Sequence, residues 1–108
     1  MTAVNFDQLF SSLSAIKVGV IGDVMLDTYW WGHVDRISPE APVPVVTLDK
    51  KEQRIGGAGN VALNITALGA NASVFSVIGK DEDGNILADL FKKNNIDAAY
   101  MLNSAQRI

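Results

Sequence analysis

The chain has 108 residues, of which 48% are apolar, and a formal net charge of −3 at pH 7. This size allows one domain with one core, and the negative charge gives no general attraction to nucleic acid or to an anionic membrane. Cysteine is absent, which excludes disulfides and thiolate metal sites. The N-terminus lacks the features of a secretory signal, and no apolar run approaches the ~20 residues that span a bilayer. We therefore expect a cytoplasmic protein with no nucleic-acid or membrane partner.

The first elements are a short helix and a strand. Asn5 is predicted to cap a helix, and the apolar face of that helix consists of Phe6, Leu9, Phe10 and Leu13. Residues 16–21 are a compact β-rich run bounded by Gly22. This pattern predicts a buried parallel strand.

Two β-prone runs, at about residues 28–34 and 43–49, differ from the other elements. Pro42 and Pro44 stand at the start of the second run, and proline cannot donate to a central ladder. The charged residues 50–54 that follow are interpreted as a connector. We therefore expect these two runs to form a small β-arm outside the main sheet.

The second half of the chain alternates between helix and strand. The pattern predicts a helix at 60–68, a strand at 73–78, a helix at 83–94 and a strand at 98–102. The helix at 83–94 has these residues facing inward: Ile86, Leu87, Leu90 and Phe91. Together with the first strand, this order predicts an α/β fold with a parallel sheet and helical crossovers.

A glycine-rich segment, Gly56-Gly57-Ala58-Gly59-Asn60, directly precedes the predicted helix at 60–68. Glycines are costly inside a helix but are suited to a chain that lies against a ligand. The first amides of a helix have no internal acceptor and lie at the positive end of its dipole. The segment therefore suits an anion or a polyol, although a plain strand-to-helix turn produces the same pattern.

Residues 56–79 resemble the N-terminal signature of the ribokinase-like (PfkB) sugar kinases. The signature combines a glycine pair, an asparagine, a small residue and two spaced glycines, here Gly56, Gly57, Asn60, Ala62, Gly69 and Gly79. Residues 20–27 and 36–45 are similar to the kinase domain of the bacterial D-glycero-β-D-manno-heptose 7-phosphate kinases, which serve ADP-heptose and lipopolysaccharide synthesis. The resemblance extends over about residues 16–108. It implies a ribokinase-like fold in which the β-arm is a lid over the sugar, and such lids often pair between two subunits.

The resemblance also implies a reaction. The parent enzyme would transfer the γ-phosphoryl group of ATP, with Mg²⁺, to the C1 hydroxyl of heptose 7-phosphate. In the family, the catalytic Asp of a Gly-Ala-Gly-Asp motif and the ATP-binding loops lie in the C-terminal half. Here the one Gly-Ala-Gly run is followed by Asn60. We therefore assign no catalytic residue, and we expect residues 1–108 to be the inactive N-terminal part of such a kinase domain.

Two carboxylates follow the first predicted strand, Asp23 and Asp27. Ligands of open α/β sheets bind outside the carboxyl ends of the strands, and a carboxylate there accepts hydrogen bonds from sugar hydroxyls. The family position credited with this role matches Asp27, and Asp23 is more particular to the heptose kinases. A turn-capping role is the alternative for both residues.

Two cations are candidates for the substrate phosphate. Arg36, in the proposed lid, can clamp a phosphate with two hydrogen bonds, although a solvent-exposed lid arginine is the alternative. Lys80 follows the second core strand. The resemblance adds Gly56, Gly57 and Asn60 to the sugar site. The partners expected are thus a sugar phosphate and, through the lid, a second copy of the chain.

The aromatic run Trp30-Trp31 supports a lid that contacts a partner. Adjacent strand residues face opposite ways, so one ring can pack on a sugar or a partner lid. His33 is the one histidine and is interpreted as structural. Because nothing supplies a second nitrogen ligand, we assign no metal.

Other functions remain as alternatives: another PfkB sugar kinase, a non-catalytic sugar-binding and dimerisation module, and a Rossmann dinucleotide binder. Residues 57–62 fit the dinucleotide pattern G-x-G-x-x-A, but the connector at 50–54 separates them from a strand. Residues 81–85 are similar to a calcium loop, although Ile86 stands where that loop needs glycine.

Overall fold

The computed structural model describes residues 3–107. Its elements, in chain order, are α1 (Phe6–Leu13), β1 (Lys17–Ile21), β2 (Val24–Ile37), β3 (Pro44–Gly57), α2 (Ala58–Ala67), β4 (Asn71–Gly79), α3 (Glu82–Lys93) and β5 (Met101–Ser104). The order β1-β4-β5 forms a parallel sheet, and β2 pairs with β3 in a separate antiparallel ribbon. The predicted α/β fold with a parallel sheet and a separate β-arm is confirmed. None of the helices within residues 3–107 is long and apolar enough to cross a membrane.

The core lies between one face of the parallel sheet, the helices α2 and α3, and the base of the ribbon. Its buried apolar side chains are Val24, Ile55, Ala62, Ala72, Val74, Ile78, Leu87, Phe91, Ile96 and Met101. Val74 and Phe91 are completely buried. Of the α3 residues predicted to face inward, Leu87 and Phe91 are core, Leu90 packs against it, and Ile86 is half-buried outside the cluster.

Two predictions about the sheet strands need correction. The strand predicted to be buried, β1, lies at an edge of the parallel sheet, and Ile21 is 85% exposed. Ile21 lies on the sheet face opposite the core, next to the exposed Phe75, and none of the described helices covers that face. The last strand begins at Met101, three residues later than expected. Asp97 causes this delay, because its carboxylate accepts a hydrogen bond from the Ala99 amide at 3.0 Å and holds the chain in a turn.

The ribbon is longer than predicted, and the prediction of a charged connector at residues 50–54 was wrong. Residues 50–54 belong to β3 and pair with residues 27–31 of β2. Their charged side chains lie along the exposed ribbon and contact its aromatic residues. The ammonium of Lys51 lies 4.8 Å from the ring centroid of Trp30. Such cation–π contacts explain how a charged run fits within an exposed strand.

The strand β3 runs directly into the glycine pair, contrary to the prediction that a connector separates the glycines from a strand. That strand nevertheless pairs antiparallel with β2 and is not part of the parallel sheet. A dinucleotide fingerprint requires the strand of a βαβ unit in a parallel sheet. The structure does not place the glycines in that context.

The starts of the first two helices follow from local chemistry. Asn5 caps α1 as predicted, because its side-chain oxygen accepts a hydrogen bond from the Gln8 amide at 3.1 Å. The apolar face of α1 is nonetheless largely exposed, and Phe6 is 64% accessible. Helix α2 begins at Ala58, two residues before the predicted start, with Gly57 as its N-cap residue.

Candidate functional site

Asp27 stands at the base of the ribbon, beside the glycine pair of β3. Its carboxylate occupies the space that a side chain at Gly56 would need: a Cβ there would lie 2.6 Å from the Asp27 Cγ. Gly57 has a φ of +62°, and a Cβ on it would lie 2.5 Å from the backbone oxygen of Asp23. The two glycines therefore let β3 pass against the segment that carries both predicted carboxylates.

The N-terminus of α2 begins directly after these glycines. The Ala58 amide donates to the Asp23 backbone oxygen at 2.8 Å, and no side chain caps the helix. Asn60 lies exposed in the first helical turn. The structure thus brings Asp23, Asp27 and the start of α2 together, which places carboxylate acceptors next to amide donors. Such a pair of groups is suited to the hydroxyls of a sugar.

Asp23 also has a partner that the sequence analysis missed. It lies in the turn between β1 and β2, and its Oδ1 accepts a hydrogen bond from the Arg107 guanidinium at 3.1 Å. Asp23 follows β1, and Arg107 follows β5. Both therefore lie past the carboxyl end of a parallel strand, where ligands of such sheets bind. That position is the signal which would have identified Arg107.

A cavity of about 310 Å³ opens at this same edge of the sheet. Its lining consists of Val24, Met25, Leu26, Val77, Ile78, Gly79, Asp81, Asp83, Gly84, Leu87 and Arg107. Two carboxylates and one guanidinium form its polar part. A lining that combines apolar side chains with a few charged groups is typical of a small-molecule site.

Asp81 has a structural role beside this cavity. It is the N-cap residue of α3, and its Oδ1 accepts a hydrogen bond from the Gly84 amide at 2.7 Å. The run at residues 81–85 is therefore the start of a helix. Within residues 3–107, no group of three or more histidine and carboxylate side chains is arranged to hold a metal ion.

The two cations proposed for the substrate phosphate differ in position: Arg36 lies far along the ribbon, and Lys80 lies at the carboxyl edge of the sheet without lining the cavity. Arg36 pairs with Val45 near the far end of the ribbon. It is nine residues along β2 from Asp27, which corresponds to roughly 30 Å at ~3.3 Å per residue. Lys80 is exposed at the end of β4, where its amide donates to the Ser104 oxygen at 3.2 Å. Neither cation lines the cavity.

His33 lies on the ribbon between two carboxylates. Its Nε2 is 2.8 Å from Asp35 Oδ2, and its Nδ1 is 2.8 Å from Asp49 Oδ2. Both ring nitrogens are therefore occupied by neighbours on the ribbon itself. This arrangement agrees with a structural histidine that joins the two strands.

The fold and the site define a class: an α/β protein with a parallel sheet, a β-ribbon, and a carboxylate beside a glycine pair at a helix start. The model of the pfkB family carbohydrate kinases matches residues 15–108. The chain therefore belongs to the pfkB family of carbohydrate kinases.

Several curated proteins are similar over most of the chain. The bifunctional protein HldE of Geobacter sulfurreducens is 50% identical over 107 residues, covering 99% of this chain and 22% of that protein. The protein of the same name from Haemophilus influenzae is 48% identical over 94 residues, covering 87% of this chain and 20% of that protein. The chain thus spans about a fifth of the length of these relatives.

Solved structures share the fold at lower identity. A fructokinase with bound ATP from Xylella fastidiosa has a TM-score of 0.63 at 20% identity, covering 83% of this chain and 26% of that one. An aminoimidazole riboside kinase from Salmonella enterica has a TM-score of 0.59 at 24% identity, covering 84% and 26%. At these identities the likeness establishes the fold: the chain is part of a ribokinase-like fold.

Proposed function

We propose that residues 1–108 are the acceptor-sugar part of a ribokinase-like kinase domain. The ribbon is the lid of this domain and includes the runs at about residues 28–34 and 43–49. The observation that carries the proposal is the Asp27 carboxylate held against Gly56 at the start of α2. The carboxylate accepts hydrogen bonds from sugar hydroxyls, and the uncapped helix start donates them. Gly57 and Asn60 complete this site.

Heptose 7-phosphate is the substrate that we propose, with phosphorylation at its C1 hydroxyl during ADP-heptose synthesis. Two observations support this choice. The chain is about half identical to proteins named bifunctional protein HldE over nearly its whole length. Residues 20–27 and 36–45 also resemble the heptose kinases in sequence. Another sugar of the same family is the alternative, and a sugar-binding module without catalysis is a second one.

We propose that ATP and Mg²⁺ are cofactors of the parent enzyme and that their binding groups lie mostly outside this chain. Within residues 3–107 there is no carboxylate cluster for a metal ion, and the sequence contains no Gly-Ala-Gly-Asp motif. Phosphoryl transfer needs a base and charge stabilisation around the phosphates. We therefore propose that this chain binds the acceptor sugar in the cytoplasm and has no kinase activity by itself.

A homodimer through the ribbon is the proposed assembly. A two-stranded ribbon is marginal by itself in water, and this one carries large exposed apolar side chains. Trp30 is 57% exposed and Trp31 is 51% exposed. Exposed apolar patches of this kind mark interaction surfaces, and closed two-fold symmetry is the commonest arrangement for identical chains.

Calorimetry and an activity assay together test the function. The chain should bind heptose 7-phosphate more tightly than fructose or NAD, and a coupled ADP-release assay should detect no sugar-dependent turnover. A chimera in which this chain replaces the matching segment of the Geobacter sulfurreducens relative should regain turnover. Phosphorus NMR of its product should show the new phosphate at C1. Absence of heptose 7-phosphate binding would refute the sugar site, and turnover by the chain alone would refute its inactivity.

A further inference from the structure

We propose that Arg107 binds the phosphate group of the acceptor sugar, in a groove that adjoins the cavity at the carboxyl ends of the strands. This inference rests on the proposed function, because it assumes that the acceptor is a sugar phosphate. It assigns to Arg107 the role for which Arg36 and Lys80 were candidates.

Arg107 forms the wall between two openings of the surface. On one side is the cavity of about 310 Å³ described above. On the other side is an open groove of about 560 Å³, lined by Val77, Ser104, Gln106 and Arg107. Since Val77 and Arg107 line both spaces, a ligand in the cavity can extend into the groove past the guanidinium.

The charges of the two spaces differ. The cavity carries the carboxylates of Asp81 and Asp83, which accept hydroxyl hydrogen bonds and repel a phosphate. No acidic side chain lines the groove, and its polar residues are Ser104, Gln106 and Arg107. A phosphate group therefore fits the groove better than the cavity.

Ser104 and Arg107, which line the groove, have hydrogen-bond donors available for an anion. The Gln106 amide donates to the Ser104 hydroxyl oxygen at 3.2 Å, so the hydroxyl hydrogen of Ser104 remains available to an anion. One guanidinium nitrogen of Arg107 is engaged by Asp23. A guanidinium has five donors, and the Arg107 side chain is 42% exposed. Asp23 therefore orients Arg107 and leaves enough of its donors to bind a phosphate at two points.

Titration calorimetry on the full chain tests this assignment with two probes, heptose 7-phosphate and the same heptose without phosphate. The wild-type chain should bind the phosphorylated sugar roughly tenfold more tightly, the size expected for an exposed charge-assisted contact. Arg107→Gln should remove this preference, even where the affinity for the unphosphorylated heptose also falls. Lys93→Gln, which removes one exposed positive charge at the far end of α3, should keep the preference.

Asp23→Asn separates phosphate binding from a structural role of the ion pair. It keeps the Arg107 guanidinium, so the preference for the phosphorylated sugar should survive even where both affinities fall. The inference is overturned, with the sugar site intact, if Arg107→Gln keeps the preference, if Arg36→Gln removes it instead, or if Asp23→Asn removes it equally. If neither sugar binds to the wild-type chain, the proposed function and this inference both fail.

Discussion

Gly56→Ala tests whether the glycine pair exists to accommodate the Asp27 carboxylate. A Cβ at Gly56 would collide with that carboxylate, since it would lie 2.6 Å from Cγ and 2.8 Å from Oδ1. Gly57 and Gly69 are the glycines with positive φ among the described residues, so alanine meets no backbone strain at Gly56. The substitution should therefore displace the Asp27 side chain and leave the backbone in place.

The magnitude follows from the hydrogen bonds that Asp27 would lose. Hydrogen bonds to a charged group contribute about 1.5–3 kcal/mol, and the half-buried position of Asp27 favours the lower value. A loss of about 1.5 kcal/mol weakens sugar binding roughly tenfold. Asp27→Ala should cost at least as much. The double variant should be no worse than Asp27→Ala alone, because the collision is then gone.

Calorimetry with heptose 7-phosphate measures these affinities, and thermal unfolding reports the fold. Gly19→Ala is the matched control, since its Cβ would lie 3.2 Å from Phe75 Cε2 on the sheet, away from Asp27. It should bind the sugar as the wild type does. Wild-type affinity in Gly56→Ala, or full additivity of the two changes, would show that Asp27 does not bind the sugar from this position.

Three further outcomes follow from the structure. Phe91→Ala should lower the free energy of unfolding by about 3–5 kcal/mol in denaturant titrations, because Phe91 is fully buried, whereas Phe10→Ala, at a half-exposed site, should change it far less; equal effects would contradict this core. Trp30→Ser should shift a dimer toward monomer in light scattering at micromolar concentration, and a monomeric wild type would refute the ribbon interface. A hydrogen bond from Arg54 holds the pKa of Glu52 below its ordinary value of 4.5, so this pair stabilises the ribbon above that pH and loses its effect as the pH falls through the lowered pKa. Acid unfolding should accordingly be less steep in Glu52→Gln, and identical acid profiles would argue against a stabilising pair.

The sequence determined the features that depend on neighbouring residues. The side chain of Asn5 caps α1 through an amide three positions away, and the spacing of Gly56, Gly57 and Asn60 places the start of α2 to within two residues. The alternation of helix and strand was enough to predict the parallel sheet. These features were predictable because capping, glycine geometry and hydrophobic periodicity act within a few residues.

The full length of the ribbon and the exposure of the edge strand β1 could not be predicted from neighbouring residues. Residues 50–54 are charged and were predicted as a connector, yet pairing with β2 makes them a strand. A β-propensity depends on what lies opposite and on either face, and that partner is not visible locally. The exposure of Ile21 likewise depends on what covers its face of the sheet, which the neighbouring residues in sequence do not show.

Tertiary structure alone decided how the site is assembled. Asp23 and Arg107 are 84 positions apart in sequence, and only the parallel sheet brings the ends of β1 and β5 to one edge. The same geometry separates Arg36 from Asp27, although they are near in sequence, because an extended strand carries them apart at ~3.3 Å per residue. The sequence thus indicated the residue types of the proposed site, and the sheet determined which of them lie together.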